Sequence, residues 1–210
     1  MSNNQRIDFG KCYCFLLIII ILAYICYVLM TSSKESKINA NSEYRCNFIN
    51  FSLNSKVQVY SVTPKEELLY IIEAGTLKAF VNPLKLYDER QNHKEIMYTD
   101  DKNKYLSKNN HIIQSKITNE ILCDMEGNHQ LIGDTYDLYV NDTQVGTAKF
   151  DFDCRQGEVK TMSGDLIAEY SKGHLNKDYT VRVKENNIFT DETLLMIIAS
   201  YIGDYIQEHN

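Results

Sequence analysis

The chain has 210 residues and a mass of 24.4 kDa, enough for one domain with a sizeable core plus a tail. Its 22 basic and 28 acidic residues give a formal net charge of -6 without any long basic run, which argues against a nucleic-acid binder and against a strong electrostatic hold on anionic lipid. The 15 tyrosines and plentiful β-branched residues suit a strand-rich domain.

Residues 1–11 form a short polar tail. Residues 12–30, CYCFLLIIIILAYICYVLM, are 19 consecutive residues without a charge. About 20 apolar residues at 1.5 Å rise cross a hydrocarbon core of roughly 30 Å. A secretory signal carries a shorter apolar region, roughly 7 to 15 residues, ahead of a small-x-small cleavage site. The run exceeds that length, and Tyr27-Val28-Leu29-Met30 offers no such site. An uncleaved single-pass anchor is expected, with a cleaved signal peptide as the alternative.

Orientation rests on small differences. Arg6, Lys11 and the α-amino group flank one end and Lys34, Lys37 and Arg45 the other, so the positive-inside comparison nearly ties. Cys12 and Cys14 stand at the membrane edge, where S-palmitoylation occurs on the cytoplasmic side. Asn50-Phe51-Ser52 and Asn141-Asp142-Thr143 are N-glycosylation sequons. Ordinary membrane cysteines and chance sequons are the alternatives. Together these features favour an amino terminus in the cytoplasm and a domain that is extracytoplasmic or lumenal.

Three cysteines remain, Cys46, Cys123 and Cys154. Their spacing lacks the paired C-x-x-C of a zinc site, and an odd number allows one disulfide and a free thiol, or no disulfide. Outside the cytoplasm Cys123–Cys154 is the expected pair, because it closes the shorter loop. In the cytosol all three are expected to stay reduced.

Residues 31–47, TSSKESKINANSEYRCN, read as a polar stalk, and residues 48–210 as the folded domain. Residues 56–61 (KVQVYS) alternate. Residues 68–73 (LLYIIE) are a buried-type strand or short helix, and 77–81 (LKAFV) lie between Gly75 and Pro83. The charged stretch 87–110 reads as a long loop or surface hairpins, with 95–98 as one exposed strand. Strands are expected at 111–118, 119–125 and 129–132, with Glu126-Gly127-Asn128 as a turn. Residues 135–140 and 144–150 flank Asn141-Asp142-Thr143 as a hairpin. Strands at 158–162, 165–170 and 178–184 follow. Short strands recurring every 8 to 12 residues suggest an all-β sandwich or barrel.

The last segment breaks this rhythm. Thr190-Asp191-Glu192 offers an N-cap and first-turn acids, and 194–206 is apolar on nearly every side. Such a helix spans a membrane or fills a core. Thirteen residues cover only about 20 Å, and Asp204 interrupts them, so burial within protein is predicted for helix 191–208. Leu194, Leu195, Ile197, Ile198, Ile202 and Ile206 are its expected core positions.

These residues resemble the group that includes phospholipid scramblases, the LURP-one-related proteins and the tubby carboxy-terminal domain, best over residues 129–208. The strand Leu166-Ile167-Ala168-Glu169-Tyr170-Ser171-Lys172, the strand Asp178-Tyr179-Thr180-Val181-Arg182-Val183, and the helix pattern of Leu195, Ile197, Ile198, Ala199, Ile202 and Asp204 carry the likeness. The hairpin from Tyr136 to Ala148, with its Gly146, adds to it. The resemblance implies a closed antiparallel barrel of about twelve strands around the buried carboxy-terminal helix. Scramblase-type members bind calcium ahead of that helix. Here 184–192 has too few spaced carboxylates for six to eight oxygen ligands. A basic phosphoinositide pocket of the tubby type would need Lys172, Lys177, Arg182 and Lys184 to cluster, and a solvated face is the competing expectation. The anchor also precedes the domain, which is not the usual layout for the LURP-one-related group.

No catalytic constellation stands out. His93, His111, His129, His174 and His209 are scattered, and no HExxH, G-x-S-x-G, P-loop or GxGxxG occurs. Asp151-Phe152-Asp153 and Asp100-Asp101 place carboxylates close together, but both runs read as exposed, whereas a catalytic carboxylate dyad needs burial. No cofactor, metal or nucleic acid is expected. The leading expectation is a single-pass, non-enzymatic binding module engaging a lipid head group or a protein partner at a membrane. An envelope or entry-type structural protein of a virus or parasite, and a scramblase-like lipid translocator, are the alternatives.

Overall fold

Alternation of inward apolar and outward polar residues organises nearly every strand. In the computed structural model, which describes residues 18–22, 38–49, 56–74, 83–101, 110–129, 134–151, 153–173 and 178–209, twelve strands form one closed antiparallel barrel. They are β1 (Ser42–Ile49), β2 (Lys56–Ser61), β3 (Glu67–Ala74), β4 (Leu84–Asp88), β5 (Lys94–Asp101), β6 (Asn110–Ser115), β7 (Ile121–His129), β8 (Asp134–Val140), β9 (Thr143–Phe150), β10 (Gln156–Thr161), β11 (Leu166–Lys172) and β12 (Tyr179–Val183). Each pairs with its sequence neighbour, and β1 closes the ring on β12 with Ser42 opposite Val183 and Cys46 opposite Tyr179. Closure leaves no unpaired edge among these strands.

The carboxy-terminal helix (Asp191–His209) fills the barrel. All residues from 193 to 202 are buried, which matches an apolar surface on every side of a helix. Leu194, Leu195, Ile197, Ile198 and Ile202 are at most 2% exposed; the side chain of Ile206 lies outside the described residues. The inward positions of the wall meet them: Val59, Leu86, Ile113, Met125, Leu138 and Val159 are each fully buried. An aromatic cluster grips the later part of the helix. The Tyr201 ring stacks on Phe150 at 4.0 Å between centroids, and its hydroxyl donates to the Asp151 carbonyl at 2.8 Å.

Two glycines mark where the wall is tightest. A Cβ on Gly157 would lie 2.4 Å from the Tyr170 ring and 2.5 Å from that of Phe150, and one on Gly146 would lie 2.3 Å from the carbonyl oxygen of Lys160. Neither position has room for a side chain without shifting core rings or backbone.

Several sequence expectations change. The stalk ends earlier: residues 42–49 are strand β1, with Tyr44, Cys46 and Phe48 turned inward. The charged stretch around residue 90 holds β4, the 3-10 turn Glu89–Gln91 and β5, and β5 buries Ile96, Met97 and Thr99. Glu126-Gly127-Asn128 is no turn, because β7 continues through it, pairing Glu126 with Asp137 and Gly127 with Tyr136. The hairpin at Asn141 and Asp142 forms as expected, both residues taking positive φ (50° and 60°). The segments 77–81 and 130–132 lie outside the described residues.

The chain divides into two units, Met1–Lys37 and Ile38–Asn210. In the first, residues 18–22 are helical and exposed, Ile20 by 59%. The rest of 12–30, with Cys12 and Cys14, lies outside the described residues, as does Asn50. Among the described residues, no helix is long and apolar enough to cross a membrane.

Candidate functional site

In an antiparallel barrel the hairpins alternate between two ends. Residue 38 enters at the end where the helix begins, since Ser42 of β1 pairs with Val183 of β12 and the connection from Val183 leads to Asp191. At this entry end lies an open cavity of about 620 Å³. Its wall combines the starts of β1 and of the helix, Tyr70 of β3, Arg90 of the 3-10 turn and the connection around Glu185 to Thr190.

Asp88 organises one side. It pairs with Tyr70 across β3 and β4 and caps the 3-10 turn by accepting from the Arg90 amide at 2.9 Å. The Arg90 guanidinium clasps the same carboxylate at 3.0 and 3.1 Å, and the Gln91 side chain adds a bond at 2.9 Å. Asp88 is only 3% exposed. Burial pushes its carboxyl up, but the bonds from Arg90 and Gln91 overcome this and hold it below its ordinary value. Arg90 also donates to the Tyr70 hydroxyl at 2.8 Å, with its guanidinium carbon 5.0 Å from the ring centroid.

The helix start completes the site. Thr190 caps it by accepting from the Thr193 amide at 3.3 Å. Asp191 and Glu192 then occupy the first turn, where the helix dipole favours negative charge. Tyr70 donates to Glu192 at 2.5 Å and Tyr44 donates to Asp191 at 2.5 Å. Burial, and then these carboxylate partners, hold both phenols well above their ordinary range, so they remain donors. Asn186 folds the connection by accepting from the amides of Ile188 and Phe189 at 3.0 and 2.8 Å. Three lining carboxylates, Glu185, Asp191 and Glu192, thus face one guanidinium, Arg90, beside two phenol rings. That arrangement suits a polar group bearing positive charge and disfavours a polyanion.

The other sequence candidates fall elsewhere. The basic residues that a tubby-type pocket would need do not gather among the described residues: Arg182 is bonded to Glu43 at 2.9 Å and lies 3.6 Å from Glu169, and Lys172 covers the Tyr179 ring. Lys172 and Lys184 lie toward opposite ends of the barrel, and Lys177 lies outside the described residues. Asn141 is exposed at the β8–β9 turn. Cys46, Cys123 and Cys154 are separate buried thiols, so the Cys123–Cys154 bridge is not formed. Cys154 instead sits 3.7 Å from the Tyr170 hydroxyl.

Asp151 departs from its exposed reading. Its Oδ1 accepts from the amides of Arg155 and Gln156, each at 2.9 Å, and burial pushes its carboxyl up to about 6. The bonds tie down a turn rather than orient a reacting group. Among the described residues, no group of three or more His, Cys, Asp or Glu is placed to hold a metal ion. The tyrosine–carboxylate cavity escaped sequence reasoning because its members are spread from position 44 to 192. The one local signal was the acidic pair opening the helix.

No family model, curated protein or solved structure matches the chain.

Proposed function

We propose that this chain is a single-pass membrane-anchored, non-enzymatic binding module of the tubby and scramblase-like type, whose entry-end cavity takes an ammonium-bearing lipid head group. The observation that carries the reading is the lining itself. Three carboxylates and two tyrosine rings surround a single arginine already clasped by Asp88. Aromatic faces and carboxylates attract alkylammonium groups, and Arg90 supplies a donor for an adjoining phosphate. The uncharged stretch 12–30 supports anchoring, and the exposed helical residues 18–22 within it are consistent with that. A barrel enclosing an apolar helix is the architecture the family resemblance implies.

The test uses the full chain in nanodiscs, titrated with phosphocholine, phosphoethanolamine and an inositol phosphate. Saturable binding of one of the first two is expected, weakened at least tenfold by Glu192→Gln and by Tyr70→Phe. Preference for the inositol phosphate, or binding indifferent to both substitutions, would overturn the proposal.

A further inference from the structure

Four large apolar side chains of the barrel unit are markedly exposed among the described residues: Val62 at 38%, Ile117 at 60%, Ile121 at 48% and Met162 at 58%. Single exposed apolar residues are ordinary on protein surfaces. Their placement here is not scattered. Val62 follows β2, Ile117 and Ile121 belong to the β6–β7 hairpin, and Met162 follows β10. The strand registers put all three hairpins at one end of the barrel, the end where residue 38 enters and the helix begins. Around the closed ring of twelve, the hairpins β2–β3, β6–β7 and β10–β11 are four strands apart in each interval. They therefore form three evenly spaced points. Polar hairpins alternate with them, Glu89 to His93 between β4 and β5, and Asn141 with Asp142 between β8 and β9.

From these positions we infer that the three hairpins carrying Val62, Ile117 with Ile121, and Met162 seat the entry end of the barrel on a lipid bilayer surface. The inference rests on the anchor reading of residues 12–30. Residues 31–37 separate that stretch from residue 38, and seven residues reach at most about 25 Å when fully extended. On that reading the tether keeps the point where residue 38 enters within about that distance of the bilayer. Three apolar points around a ring resist tilting, whereas one point would not. Each adds apolar contact in the interfacial layer, and a contiguous protein partner surface is not needed to cover points so far apart around the ring. Seated this way, the cavity of Tyr44, Tyr70 and Arg90 opens toward the head groups.

The chain contains no tryptophan, so an introduced one is the sole indole emitter. Full-length Ile117→Trp, Met162→Trp and, as control at the opposite end of β9, Lys149→Trp are reconstituted into phosphatidylcholine vesicles with and without brominated acyl chains. Flotation of the unaltered chain with the vesicles reports the anchor separately. The expected result is flotation, with emission of the two hairpin variants quenched at least twofold more than that of Lys149→Trp. Flotation with equal quenching at both ends overturns the seating while leaving the anchor intact; absence of flotation removes both. Blue-shifted but unquenched hairpin emission assigns the points to a second copy or another protein, and likewise overturns it. Asn141 shares this end, and a glycan there would hold the ring off the lipid. Mass spectrometry of the protein from cells is expected to find Asn141 unmodified, and occupancy would contradict the seating.

Discussion

Nε2 of His111, near the start of β6, lies 2.7 Å from Oδ2 of Asp204 on the carboxy-terminal helix, across 93 positions of sequence. The Tyr136 hydroxyl reaches the same oxygen at 3.5 Å. His111 and Asp204 are 15% and 18% exposed, so the acid that interrupts an apolar helix is held by the barrel wall. Removing one partner leaves the other under-bonded, which costs about 1–3 kcal/mol. Asp204→Ala is expected to lower the unfolding free energy by that amount in a urea titration. A double-mutant cycle with His111→Ala should give a coupling of at least about 0.5 kcal/mol, and strictly additive losses would show that the contact carries no energy.

The helix is the core of the barrel, so charge within it should be intolerable. Ile198 is 2% exposed, and an unpaired carboxylate there costs several kcal/mol against a total stability of about 5–15 kcal/mol. Ile198→Asp is expected to abolish the cooperative thermal transition. Ile197→Ala, at a fully buried position, should keep the fold and lose about 2–5 kcal/mol. A wild-type melting curve for Ile198→Asp would contradict the enclosed helix.

Asp151 should give stability a distinctive pH dependence. Its folded-state pKa, about 6, is above the value of about 3.9 expected in the unfolded chain. The fold therefore favours the protonated form. This contribution is complete below about pH 4 and is lost as pH rises through about 6. Asp151→Asn keeps an oxygen acceptor for the amides of Arg155 and Gln156 but does not titrate. Its melting temperature relative to wild type should rise between pH 4 and pH 7 in scanning calorimetry; a constant difference would refute the assignment.

The three barrel cysteines should be inert in the native state. Burial pushes the Cys46 thiol up to about 12 and that of Cys154 up to about 11, and raises that of Cys123 as well. Thiolate is the reactive form, so iodoacetamide at pH 8 should leave all three unmodified in the folded protein and label them after denaturation. Recovery of a Cys123–Cys154 peptide under non-reducing digestion would overturn the free-thiol arrangement.

How much of this was legible depended on whether the signal was local. The β8–β9 hairpin was readable because Asn141 and Asp142 tolerate left-handed backbone and sit between alternating strands. Strand β1 was hidden by composition. Glu43, Arg45 and Asn47 give it a polar face, which reads as stalk, while Tyr44, Cys46 and Phe48 alternate inward. Its role appears only when Glu43 meets Arg182 across the closing pair with β12. Strand β5 was disguised in the same way, by Lys94, Glu95, Asp100 and Asp101 around a buried Ile96, Met97 and Thr99. Gly127 suggested a turn, yet pairing with Tyr136 of β8 keeps it in a strand.

The sequence by itself determined the strand-rich class and the enclosed helix, while the closed ring of twelve strands was only what the family resemblance implied. Period-two alternation and an apolar run too short to span a bilayer are local patterns, so they can be read without knowing which strands pair. Only the tertiary structure decided which residues share a site. Tyr44, Tyr70, Arg90 and Glu192 meet because ring closure brings β1, β3 and the 3-10 turn beside the helix start. The grouping of Val62, Ile117 and Met162 at one end follows from strand direction around the ring, and position along the chain alone does not encode it.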